Sequence, residues 1–78
     1  MTEVPATAKM LLADALGTHV SEISDEARIT NTRGWDSVAH VRLMLAIEAR
    51  LQRELNSEEA VKIESIQDIA DLLSRHSF

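Results

Sequence analysis

The chain has 78 residues, 45% of them apolar, no cysteine and a formal net charge of −5. A chain this short buries only roughly 60% of its unfolded surface, which leaves no room for a deep active-site cleft, and without cysteine neither a disulfide nor a thiolate metal site reinforces the core. The acidic balance argues against nucleic acid and anionic lipid as partners, since both attract clustered positive charge.

Packing of amphipathic elements must therefore hold the fold. Two glycines, one proline, few aromatics and no alternation of strand length point to an all-α class. The first predicted helix covers about 5–16, where Ala8, Leu11, Leu12, Ala15 and Leu16 recur at helical spacing. Pro5 suits its first turn, and Gly17 suits the residue just past its end. From Thr18 to Asp36 no period persists, and the stretch reads as a long loop pinned to the core by Val20, Ile23 and Ile29. A short helical turn after Ser21 or Ser24 is compatible with it. So long a loop calls for a functional reason or an additional element.

Helix two is predicted over about 37–53 with Asp36 as N-cap. Leu43, Met44, Ile47 and Leu51 fall within about 100° of one another on it, and Val38, Val41 and Leu45 form a second cluster within about 60°. The first cluster suits the core. The second faces either a partner or guest molecule, or a neighbouring helix, and periodicity does not choose between them. A short third helix is expected over about 58–62, with Ser57 as N-cap and Glu58 and Glu59 at the positive end of its dipole. The fourth runs over about 66–75, entered through an acidic capping box of Ser65 and Asp68, with Ile66, Ile69, Ala70 and Leu73 on one face. No internal repeat or change of composition divides the chain, so 1–78 is expected to form one unit.

The N-terminal stretch carries Glu3 and has neither a basic n-region nor an apolar h-region, and no window has the length to span a bilayer. Cytoplasmic residence, no membrane partner and a monomeric state are the expectations.

Chemistry concentrates at Gly34-Trp35-Asp36-Ser37-Val38, where a turn meets the most apolar helix. A serine at a helix N-terminus exposes its hydroxyl, and a phosphate attached there feels free amides and the positive end of the dipole. Gly34 allows a tight turn and keeps bulk away from the approach. The same Asp-Ser pair ahead of an apolar run is also an ordinary helix cap.

These five residues resemble the Gly-x-Asp-Ser-Leu signature of acyl carrier proteins. The first helix with Gly17, the segment Ser57-Glu58-Glu59-Ala60-Val61-Lys62-Ile63 and the run from Ile66 to Leu73 are similar to that family's first, third and last helices, so the likeness covers nearly the whole chain. The resemblance implies a four-helix bundle, a non-catalytic carrier whose Ser37 is esterified by the 4′-phosphopantetheine of coenzyme A through a separate phosphopantetheinyl transferase. The arm's thiol would then carry an acyl group as a thioester between loading and transfer enzymes. It further implies that Gly34, Trp35, Asp36 and Val38 frame the attachment point, and that Val41 and Leu45, with Arg42 and His40 nearby, meet partners or cargo. Trp35 serves either as a partner contact or in packing the loop.

The sequence departs from the family's pattern in charge. Thr32-Arg33 precedes Gly34, where many members have an acidic and an aliphatic residue. Between Ser37 and Arg53 stand Arg42, Arg50 and Arg53 against Glu48 alone, a net of +2 before His40 is counted. The acidic docking helix of the family is missing, and acidity gathers instead in Glu54, Glu58, Glu59, Glu64, Asp68 and Asp71. Reversed charge alters partner choice, which points away from housekeeping fatty-acid synthesis and toward a specialised pathway with a polyketide-type, aminoacyl or other small cargo.

Three rivals are weaker. A serine hydrolase would use Ser37 as nucleophile and His40, one turn along, as base, but Asp36 is better placed as a cap than as an orienter of the imidazole. An unmodified helical interaction module would have much the same sequence, and modification of Ser37 separates it from the carrier. A DNA-binding helix would need Arg42, Arg50 and Arg53 on one face, and their angular positions scatter. His19, His40 and His76 lack ligand spacing, and no metal is expected.

Overall fold

A computed structural model describes residues 6–75, so Pro5 and His76 lie outside the described residues. Among them are four α-helices and no strand: α1 Ala6–Leu16, α2 Ser37–Leu51, α3 Ser57–Lys62 and α4 Ile66–Arg75. The all-α expectation is met, and helices one, two and four occur where periodicity puts them.

The end of α1 shows why Gly17 stands there. Gly17 has φ of +69°, its amide donates to the Asp14 carbonyl and the Thr18 amide donates to the Ala13 carbonyl at 2.9 Å. Those two bonds are a Schellman motif, which needs a left-handed residue at this position. Helix α2 stops two residues earlier than expected, because Gln52 takes the same left-handed conformation with φ of +57°. Its departure is fixed by the Arg53 amide bonding back to the Glu48 carbonyl and by the Glu48 carboxylate accepting from the Leu55 amide at 2.8 Å.

α1 packs against both α2 and α4. Leu12, Leu43, Ile47, Ile66 and Ile69 are fully buried at their junction, with Met44 and Leu51 half-buried against it. Along α4 it is Leu72, rather than Leu73, that is fully enclosed.

The stretch between α1 and α2 is anchored more heavily than three apolar side chains would allow. Ile23, Ala27 and Trp35 are buried and Ile29 half-buried. Val20, expected to pin the loop, is exposed. It belongs to a 3-10 turn, Val20–Glu22, which begins two residues ahead of the earlier place anticipated and includes Ser21. The Thr18 hydroxyl, and to a lesser extent the His19 amide, donate to the Glu22 carboxylate and hold its carboxyl below the ordinary range. Further on, the Ile29 amide donates to the Glu64 carbonyl at 2.8 Å and the Ile66 amide to the Ala27 carbonyl at 2.9 Å. This isolated antiparallel bridge ties the loop to the segment between α3 and α4.

Two caps differ in detail from expectation. The N-cap of α3 is Asn56, not Ser57: Asn56 Oδ1 accepts from the Glu59 amide at 2.9 Å and the Glu59 carboxylate accepts from the Asn56 amide at 3.1 Å. Glu59 lies three residues after Asn56, whereas Ala60 lies three after Ser57, so only Asn56 can complete the reciprocal box. At α4, Ser65 Oγ accepts from the Asp68 amide as expected, but the Asp68 carboxylate reaches past Ser65 to the Glu64 amide at 2.9 Å.

Gln52→Gly is expected to raise unfolding stability by about 0.5–1 kcal/mol, because only a residue without Cβ sits in the left-handed region without strain. Urea denaturation of the two chains measures it.

Candidate functional site

Ser37 is the first residue of α2 and is exposed. Asp36 ahead of it is extended, with φ of −106°, and caps the helix as expected: its Oδ1 accepts from the Ala39 amide at 2.9 Å, and its carbonyl accepts from the His40 amide at 2.8 Å. The amides of Ser37 and Val38 belong to the first turn, which has no acceptor within the helix. An exposed hydroxyl thus stands at the positive end of a fifteen-residue helix.

The turn into the site is built by its backbone. The Trp35 amide donates to the Thr32 carbonyl at 3.2 Å, and the Asp36 amide to the Gly34 carbonyl at 3.0 Å. Gly34 has φ of +90°, and a Cβ placed on it would meet no atom within 4 Å. Its glycine character therefore serves the backbone conformation, while the space beside it is open in the unmodified chain.

Trp35 is 4% exposed and belongs to the core cluster, so its packing role holds. Its Nε1–H donates to His40 Nδ1 at 3.1 Å, the two rings lying within 23° of parallel with centroids 6.3 Å apart. The other imidazole nitrogen, Nε2, is 3.2 Å from the Ala60 carbonyl on α3. Half-buried His40 has both nitrogens engaged away from Ser37, which deprives a serine-hydrolase arrangement of its base.

The second apolar cluster of α2 points outward. Val38, Val41 and Leu45 are 59%, 58% and 60% exposed, and Val61 on the adjoining α3 is 74% exposed. Arg42 is exposed beside them. Arg53, just past the end of α2, is half-buried: its guanidinium donates to the Glu59 carboxylate and to the Glu54 carbonyl, and so it ties the segment after α2 to α3. Among the described residues no cluster of His, Asp or Glu is arranged to hold a metal, and no helix is long and apolar enough to cross a membrane.

The site joins an exposed serine at the start of α2, behind a capping aspartate, to an entry turn with open space beside Gly34. A family model described as a phosphopantetheine attachment site matches residues 6–73. The chain belongs to this family of carrier proteins, and its cofactor is 4′-phosphopantetheine, bound covalently. The ring pair of Trp35 and His40 was missed by sequence reasoning; the five-residue spacing across a turn and a helix start carries no periodic signal that could have found it.

Asp36→Ala is expected to cost about 1 kcal/mol through loss of the cap, and Gly34→Ala about 1–2 kcal/mol through its positive φ. Thermal unfolding monitored by circular dichroism reads both.

Proposed function

We propose that Ser37 is the attachment point and that the chain is an acyl carrier, with no catalysis of its own. The observation that carries this reading is the exposure of Ser37 at the first position of α2, within a motif that lies inside the matched family segment. Ser37 Oγ would hold the phosphate as an ester, with the first-turn amides of Ser37 and Val38 and the positive helix end stabilising its charge. Exposed Arg33 and Arg42, either side of Ser37 in the chain, add positive charge. When attached, the arm supplies the thiol on which an acyl group travels as a thioester. The Gly34 to Asp36 turn keeps the serine accessible to a phosphopantetheinyl transferase.

In this reading Val38, Val41 and Leu45 form the apolar strip that meets acyl-loading and acyl-transfer enzymes, and Arg42 at its edge favours partners with carboxylates there. His40 contributes from beneath that surface. A specialised pathway suits this charge pattern better than housekeeping fatty-acid synthesis. An aminoacyl or peptidyl carrier would use Ser37 in the same way. Cytoplasmic residence and a monomeric state are part of the proposal.

Incubation with coenzyme A and a broad-specificity phosphopantetheinyl transferase should add one phosphopantetheinyl group by intact mass. It should also create one free thiol in a chain that has no cysteine. Ser37→Ala should abolish both while keeping the helical spectrum; a modified Ser37→Ala chain would refute the assignment, and an unmodified wild type would favour a helical interaction module. Arg42→Glu should slow acyl transfer from the loaded carrier several-fold at low salt, mostly through association, and the difference should shrink as salt rises.

A further inference from the structure

An indole N–H can only donate, so the 3.1 Å contact makes His40 Nδ1 an acceptor. The ring proton then sits on Nε2, which donates to the Ala60 carbonyl. One neutral imidazole, three residues after Ser37, therefore spans from the buried Trp35 of the entry turn to the backbone of α3. Helix α3 needs such a tie: it is six residues long and has no fully buried side chain. Its seat rests on His40, on the Arg53–Glu59 ion pair and on Ile63, buried just beyond its end.

We propose that His40 is a positioning residue for the attachment site: its Nε2–H tautomer holds the Gly34 to Asp36 turn and α3 in one arrangement, so that a partner enzyme meets Ser37 and the exposed face of α3 as a preset pair. The inference rests on the reading of Ser37 as the attachment point.

Three variants separate the two bonds. His40→Asn puts an amide oxygen near the Nδ1 position and keeps the acceptor for Trp35. His40→Gln reaches the Nε2 position and keeps the donor to Ala60. His40→Ala removes both. Trp35 is the only tryptophan, so loss of its Nε1 bond should shift its emission in the unmodified His40→Ala and His40→Gln chains, while His40→Asn should keep the wild-type emission. Amide exchange in α3 should accelerate about five- to tenfold in His40→Ala and His40→Asn but not in His40→Gln. With the transferase, kcat/KM for His40→Ala should fall about tenfold at fixed pH, with part of the loss restored in His40→Asn. Wild-type kcat/KM in His40→Ala would overturn the proposal, as would α3 exchange and Trp35 emission identical in all four chains. Should His40→Ala fail to fold, the Asn and Gln chains decide the question through the same readouts. Failure of the wild type to accept the arm would refute the Ser37 reading instead, and emission and exchange would still test the tie in the unmodified chain.

Discussion

Leu12 has no solvent contact because α2 and α4 both close on α1, and everything else in the molecule hangs on that closure. Burying a side chain of this size stabilises by roughly 1.5–3 kcal/mol, and five fully buried aliphatic residues sit at the junction of three helices. With no cysteine to form a disulfide, these contacts must offset the ordering of a chain in which the stretch between α1 and α2 is as long as a helix. They also set the direction in which α2 starts. Its inward face, Leu43 and Ile47, is committed to the core cluster that also holds Leu12 and Ile69, so Ser37 and Val38 are left at the surface.

The long stretch before α2 would be expensive to order if it relied on its own turns. It borrows order from the other end of the chain through the bridge to Glu64 and Ile66 and from the core through Ile23, Ala27 and Trp35. The turn that presents Ser37 is thereby fixed at both ends: by Trp35 in the core and by Asp36 on the first amides of α2. A serine on a free loop would have to be ordered each time a partner bound it, at an entropic cost that this arrangement has already met during folding.

Much of this was legible in the sequence because it depends on local rules. Helical periodicity located α1, α2 and α4, and the Asp36 cap follows from its place ahead of an apolar run. The errors fall where two local solutions compete or where the partner is distant in sequence. Asn56 and Ser57 are both good caps, and only the position of Glu59 separates them. Gln52 ends α2 in a conformation that usually advertises itself with glycine. Val20 looked like an anchor, yet it is exposed, and Ala27, next to the bridge between Arg28 and Ser65, is buried in its stead. The outward face of α2 was undecidable from angles alone, since an apolar strip reads the same whether a neighbouring helix or solvent lies over it.

The exposed strip of Val38, Val41, Leu45 and Val61 has a consequence for the molecule in crowded solution. An apolar ridge on so small a body invites copies to stick to one another. Two strips meeting face to face would bring Arg42 of one copy toward Arg42 of the other, while the two bodies each carry a net charge of −5. Both the local contact and the overall field resist that encounter. Charge therefore opposes self-association through the ridge, and Arg42 at its edge favours a surface of opposite sign.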